Sequence, residues 1–439
     1  MYNPYEKTCY NNNPGYKRLL QVGLIKGLYV QNSKNVPHKT SKIRPRGVKL
    51  ATLQRIENLL GSIVCAALSL PALFLKNNKT PDPEKVKKVL IVKFFGIGSL
   101  ILAIPFLNTA RKQFPNAEIH LLTLAANRPL MDMVTIIDHV HYINLGDTIF
   151  SAISAFSKGL IETARGRYDV LVDMEFYTRA SSIVTFFSLA PVRIGYHSRG
   201  VYRGHIHNHR IAFNVYRHVI RNFLGLLEPM GIKIPAKSPL PKLNIPPNAY
   251  KEAEDILPQY TTKKFMIVNV NAGELAYERR WFPENFAELT CKLCKDYNVE
   301  AVFVGSNGER DYVESVAQEV VKSGYKVHNL AGSISLSGFA ALCEHSILML
   351  SNDSGPLHVG AAAGAKVVGF FGPETPVLYG PSGSGHLVLH DDIPCSPCIT
   401  AEQGKQLACW HQLPFCQSNI TVDIAYQRIV KRYHQHLSQ

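Results

Sequence analysis

The run Ser351-Asn-Asp-Ser-Gly-Pro-Leu-His358 follows an apolar segment and opens a stretch of small residues, Val359-Gly-Ala-Ala-Ala-Gly364. Unpaired backbone amides at such a helix start make an anion site suited to a diphosphate, and Ser354 and Gly355 let a ligand approach closely. Asp353 can accept hydrogen bonds from sugar or ribose hydroxyls, and His358 lies one turn into the helix. A plain helix cap is the competing reading of this turn. Phe370-Phe-Gly-Pro-Glu-Thr375 ends the next strand with similar chemistry and places Thr375 to reach the same phosphates, unless it is an ordinary turn. Asn269-Val-Asn-Ala-Gly273 precedes Glu274, and Arg279, Arg280 and Trp281 follow. The planar fork of arginine pairs bidentately with phosphate oxygens.

In the other half of the chain, Gly96-Ile-Gly98 closes an apolar run. It lacks the third glycine and the downstream acid of a dinucleotide fingerprint, so its glycines are read as giving a ligand access to a strand end. Asp173 and Glu175 end another strand, where carboxylates facing a cleft can act as general bases. His205, His207, His209 and His218 lack a completing carboxylate pattern and read as a basic loop. Cys395, Cys398, Cys409 and Cys416, spaced C-x2-C-x10-C-x6-C, can hold a structural zinc ion, with free thiols or a disulfide as alternatives.

These residues need elements to position them. Val89–Lys93 reads as a strand, Ser99–Lys112 as a helix, Glu118–Leu122 as a second strand and Tyr168–Asp173 as a third. Five prolines within 234–247 predict a stiff, non-helical connector. Strand–helix alternation then restarts at Phe265–Val270 and runs through Glu300–Val304, the neighbourhood of His328, Ile347–Leu350 and Lys366–Phe371. Alternation of this kind implies parallel, doubly wound sheets, whose ligands bind beyond the strands' carboxyl ends. The expected organisation is an N-terminal extension over 1–87, one α/β domain over 88–240 and a second over 241–439.

A chain of 439 residues with 46% hydrophobic and 18% charged residues is neither largely disordered nor polytopic in a membrane. Its net charge of +15 is unevenly spread: residues 1–88 hold 16 Lys and Arg against 4 Asp and Glu, leaving about +3 for the rest. A near-neutral body excludes nucleic acid as the partner, and the basic arm points to an anionic membrane surface. Residues 58–75 are uncharged, contain Pro71 and have basic flanks on both sides. A spanning helix would place one basic flank on the wrong side, whereas a segment dipping into or lying along the cytoplasmic leaflet satisfies both. A buried helix ahead of the first domain is the other reading. A cleaved signal peptide would start earlier. Cysteine usage fits a reducing, cytoplasmic compartment, with association at the inner face of the cytoplasmic membrane.

The ordered set Val89–Pro105, Tyr168–Asp173, Arg193-Ile-Gly-Tyr196, Asn271-Ala-Gly with Arg279-Arg-Trp-Phe-Pro283, Asn329-Leu-Ala-Gly332, Asn352–His358 and Phe371-Gly-Pro373 resembles glycosyltransferase family 9. This is the heptosyltransferase family of lipopolysaccharide synthesis. The resemblance implies a GT-B fold of two Rossmann-like lobes facing a cleft. It implies inverting transfer from a nucleotide-sugar, typically ADP-heptose, to a lipid-linked or lipopolysaccharide-type acceptor, with no cofactor and no catalytic metal. By position it places Asp353, Ser354, Gly355 and His358 at the donor; the reading of the residues themselves adds Gly273, Glu274 and Thr375 to the donor side and Gly96 and Gly98 to the acceptor side. Arg279 stands where the family usually has a phosphate-binding Lys and keeps the charge that stabilises a departing nucleotide.

One position departs from the family. Its proposed base is an Asp directly after the Gly-x-Gly turn, and here that residue is Ser99. Asp173, Glu175 and Glu274 are the alternative carboxylates, with Glu175 favoured because it ends a neighbouring strand of the same lobe. A sugar-nucleotide-binding protein without turnover, acting as an assembly partner, is the alternative function.

Overall fold

The computed structural model describes residues 48–75, 80–146, 148–198, 200–273, 277–399, 409, 411 and 414–438. Most of the basic extension, together with Glu274, lies outside these residues.

The first lobe is ordered β1 (Lys88–Val92), α2 (Ile97–Gln113), β2 (Glu118–Leu124), β3 (His139–Ile143), α3 (Ile149–Arg165), β4 (Val170–Asp173), α4 (Ala180–Phe187), β5 (Val192–His197), β6 (His209–Ala212) and α5 (Val219–Gly225), preceded by the long helix α1 (Val48–Phe74). Its strands lie in the order β3-β2-β1-β4-β5-β6, every pair parallel. β1 and β4 read as continuous apolar runs because both of their faces are covered. The strand expected third is therefore the fourth. His139–Ile143 was missed because its half-buried His-Val-His-Tyr alternation at the sheet edge carries no apolar run.

The second lobe contains α6 (Pro247–Ile256), β7 (Phe265–Asn269), α7 (Pro283–Tyr297), β8 (Glu300–Phe303), α8 (Arg310–Lys322), β9 (Val327–Asn329), α9 (Leu336–His345), β10 (Leu348–Asn352), α10 (Gly355–Ala363), β11 (Val367–Phe371), β12 (Leu387–His390) and α11 (Val422–Ser438). Its strand order is β12-β11-β10-β7-β8-β9, again all parallel. Each sheet thus reverses strand order once, between β1 and β4 and between β7 and β10. The crevice outside such a switch point is where open α/β sheets bind ligands.

The proline-rich connector has no regular structure up to Pro247 and is pinned to both lobes. Leu243 N donates to Ala362 O at 3.3 Å and Asn244 N to Met133 O at 3.0 Å. A single apolar cluster runs from α2 into α10 and α9, so packing continues between the lobes.

Helix α1 lies against α4. Glu57 caps α4, accepting from Thr178 Oγ1 at 2.8 Å and Ala180 N at 3.1 Å. Gly61 lets the Arg179 stem in: a Cβ there would stand 3.0 Å from Arg179 Cβ. Cys65 and Ala72 are buried on the same side, while Leu59, Leu60, Ile63, Leu70, Leu73 and Phe74 are exposed on the other.

Candidate active site

The two switch points face each other across a cavity of about 690 Å³. On the first lobe its wall is the β1–α2 turn, with Lys93, Gly96, Gly98 and Ser99, and the segment Phe176–Tyr177 beyond β4. On the second it is the end of β7 (Asn269, Asn271, Gly273), Arg279, and the β10–α10 turn with Asp353, Ser354, Gly355 and His358. Gly96 sits at φ +88°, the left-handed region that glycine tolerates, and lets β1 turn directly into α2.

The lobes meet at two glycines. A Cβ on Gly98 would stand 2.6 Å from His358 Cδ2 and 3.3 Å from Gly355 Cα. The starts of α2 and α10 can cross this closely only because one of them carries no side chain there.

The turn expected to hold phosphate is held from behind by amides. Asn269 Nδ2 donates to Ser351 Oγ at 3.0 Å and to Ser354 Oγ at 2.9 Å. Asn352 accepts from Trp281 N at 2.8 Å and donates to Val270 O at 2.9 Å. Arg279 donates from Nη1 to Asp353 O at 2.9 Å and from Nη2 to Ala272 O at 2.6 Å, and stands 3.5 Å from the Asp353 carboxylate. These bonds aim the guanidinium along the cavity wall. Among the described residues, Arg279 Nε and both amide atoms of Asn271 are buried without hydrogen-bond partners. Buried polar atoms are almost always paired, so these three have hydrogen-bonding capacity left for whatever occupies the cleft, water included. Lys93, Tyr177 and Tyr379 belong to this wall without having been named as site residues, and Asn271 joins it from the Asn269–Gly273 run. The two aromatics carry no pattern that could have found them, whereas Lys93 directly follows β1 and Asn271 lies two residues past β7, positions that the switch-point rule marks.

Three expected groups lie elsewhere. Asp173 is fully buried, ion-paired to Arg203 and 3.0 Å from His207 Nε2. Burial alone would raise its carboxyl, but Arg203 and His207 outweigh that and hold it below the usual 3.8. It is a buried structural anion and does not face the cavity. His207 is correspondingly part of this buried network and not of a basic loop. Its ring stacks where a Gly195 side chain would be, and burial pushes it below its ordinary 6.5. Thr375 spends its hydroxyl on Val377 N, capping the short helix Pro376–Tyr379, and Tyr379 of that helix reaches the cavity instead.

Glu175 sits one layer behind the wall. Its Oε1 accepts from Lys93 Nζ at 2.7 Å, Phe94 N at 2.8 Å and Phe95 N at 3.0 Å, while Oε2 is buried with no partner among the described residues. Lys93 also donates to Phe95 O at 2.8 Å. The Glu175 carboxylate thus holds both the β1–α2 turn and the ammonium that lines the cleft.

The cysteines gather behind the Phe371-Gly-Pro373 turn. Cys398 N and Ile399 N both donate to Pro373 O at 2.9 Å, and Cys416 Sγ lies 3.1 Å from where a Gly372 Cβ would be. Burial, with Cys398, Cys395 and Cys409 nearby, pushes the Cys416 thiol up to about 12. Gln417 donates to Arg279 O at 3.0 Å, which links this corner to the guanidinium.

Residues 158–411 match the model of glycosyltransferase family 9 (heptosyltransferase). The chain belongs to that family. The family-9 chain is 24% identical over 301 residues to the lipopolysaccharide core heptosyltransferase OpsX of Haemophilus influenzae, covering 68% of this chain and 82% of that protein. Among solved structures it resembles the family 9 glycosyltransferase of Veillonella parvula, with a TM-score of 0.66 at 21% identity, covering 82% of this chain and 99% of the other. It also resembles the E. coli ADP-heptose lps heptosyltransferase II, with a TM-score of 0.63 at 19% identity, covering 79% and 99%. The family-9 chain is accordingly a glycosyltransferase of GT-B type.

Proposed function

We propose that this glycosyltransferase moves heptose or a related sugar from an ADP-sugar to a lipid-linked or lipopolysaccharide-type acceptor, with inversion and without a catalytic metal. The observation that carries the proposal is the pairing of two switch points, one lined with unpaired buried donors and the other with a glycine turn. The diphosphate would lie on the amides of Ser354 and Gly355, with Arg279 balancing the charge that grows on the leaving nucleotide. The acceptor hydroxyl would attack the anomeric carbon from the Gly96–Ser99 side. Its oxygen forms the new bond, the bond to the diphosphate breaks with its electron pair, and the hydroxyl proton passes to a carboxylate. Glu175 is the proposed proton acceptor; it lies one layer behind the wall, so the proton would reach it by relay through Lys93, which lines the cavity, gives a proton to Oε1 across their 2.7 Å bond and takes the one from the hydroxyl.

The test is transfer of labelled sugar from a panel of nucleotide-sugars to lipopolysaccharide-type acceptors, with the product's anomeric configuration read by NMR. Donor binding without transfer across the whole panel would favour the second reading, a sugar-nucleotide-binding assembly partner. Ser99 at the position of the family's aspartate is the observation on its side.

The protein is further proposed to sit on the inner face of the cytoplasmic membrane. The described part of α1 includes one apolar stretch, Glu57–Phe74, long enough to cross a bilayer, but one side of it is packed on α4. That supports a helix lying along the leaflet with Leu59, Ile63, Leu70 and Phe74 in lipid, and the basic residues of 1–88 drawn to anionic headgroups.

A further inference from the structure

Parallel strands buried between helices are ordinarily filled with branched aliphatic side chains. The edge of the first sheet departs from this. Glu118 and His120 are two apart on β2, so they share a face, and His139 and His141 do the same on β3. The register sets His120 directly beside His139. The His120 ring is 4.6 Å from His139 and 5.2 Å from His141, nearly parallel to the latter. One ligating atom each from Glu118, His120 and His139 all lie within 4.8 Å of one another.

We infer that Glu118, His120 and His139 form a binding site for one divalent transition-metal ion of the zinc class, with His141 orienting His120 from behind. Two imidazoles and a carboxylate are a donor set that zinc accepts, with water in the fourth position. Tetrahedral coordination at bond lengths of about 2.0–2.1 Å sets ligand atoms about 3.4 Å apart. Glu118 Oε2 and His120 Nε2 already stand 3.2 Å apart. His139 is exposed and free to turn inward.

The second layer fits as well. His120 Nδ1 lies 2.9 Å from His141 Nε2; when metal displaces the proton from His120 Nε2, the atom beside Glu118, that bond can hold the ring's remaining proton on Nδ1. Ligating histidines are usually fixed through their other nitrogen in this way. Tyr168 Oη stands 3.4 Å from the same His141 nitrogen and closes the layer. Three other charged groups face the cluster, one of them Asp138, which is beside His139 and ion-paired to Arg111. Glu162 of α3 is close to His141 and adds negative charge. Lys88 Nζ is 3.2 Å from Glu118 and competes for it, but its side chain is 40% exposed and can swing into solvent. The bound ion would clamp β2 to β3, far from the sugar-transfer cleft and independent of it.

The experiment is titration of metal-depleted, untagged full-length protein with Zn²⁺ against a chromophoric chelator, repeated with Co²⁺ to read ligand type from the spectrum. A 1:1 Zn²⁺ complex is expected whose affinity falls at least tenfold in His139→Ala and in Glu118→Gln. His141→Ala should weaken it about tenfold. Lys88→Met should tighten it roughly fivefold by removing a like charge. The Co²⁺ difference spectrum between wild type and His139→Ala should lack a sulfur-to-metal charge-transfer band, which separates this site from the cysteine corner. His139 is exposed, so the metal-free variant should melt where the metal-free parent does. Zn²⁺ binding that is unchanged by His139→Ala and Glu118→Gln, or absent from the parent, overturns the inference.

Discussion

Replacing Gly98 with alanine tests whether the lobes close on the glycine contact. The backbone at Gly98 needs no positive φ, so the perturbation is steric. The new Cβ would stand 2.6 Å from His358 Cδ2 and 3.3 Å from Gly355 Cα. Ordinary contact begins near 3.4 Å, so the His358 ring must retreat by about 0.8 Å while the backbone of α10 resists. Overpacking of this kind costs about 1–3 kcal/mol. Because the displaced group is the first turn of α10, the strain falls on the proposed diphosphate seat. ADP affinity should drop roughly 5- to 150-fold, the factor corresponding to that energy. The reverse substitution is the control: a Cβ on Gly355 meets Gly98 N only at 3.7 Å and Ile97 Cβ at 3.9 Å, so it should leave the melting temperature unchanged. Calorimetric titration with ADP and thermal unfolding of both variants read the result. A Gly98→Ala protein that melts and binds ADP like the parent would refute the closed glycine contact.

Glu175→Gln should lower kcat by about 10²- to 10⁴-fold if Glu175 takes the proton, read from initial rates of sugar transfer; full activity would exclude it from that role. Acid should weaken the fold in two steps. His207 is held neutral by burial below its ordinary 6.5, so below pH 6.5 the unfolded chain gains a proton that the folded one refuses, and stability falls with pH. Asp173 has a depressed folded value, so its contribution persists above 3.8 and is lost as pH falls through that lower value; denaturant melts across both windows check the sign. Ile63→Asp with Leu70→Asp alters only exposed positions, so the melting temperature should hold while pelleting with anionic vesicles falls at least tenfold, each buried aliphatic side chain being worth about 1.5–3 kcal/mol. Unchanged pelleting would refute the α1 seat.

The local part of this protein was legible in its sequence, because its signals are contiguous. Apolar runs ended by glycine or asparagine announced β1, β7 and β10, and alternation with helices dictated parallel sheets. The residues at those strand ends, Gly96–Ser99, Asn271–Gly273, Arg279 and Asp353–His358, do converge on one cleft, since strand order alone brings the carboxyl ends to the switch points. Tertiary structure decided what partners at long sequence separation impose. Asp173 and Glu175 look equivalent along the chain, but Arg203 and His207 bury the first as a structural anion, and Lys93 with two backbone amides engages one oxygen of the second. Likewise the polar strand His139–Ile143 gains its place only from pairing with β2, and that Gly98 must lack a side chain is visible only once α10 lies against it. Period and composition report which face a residue prefers. They carry no information about which distant charge or helix will meet it there.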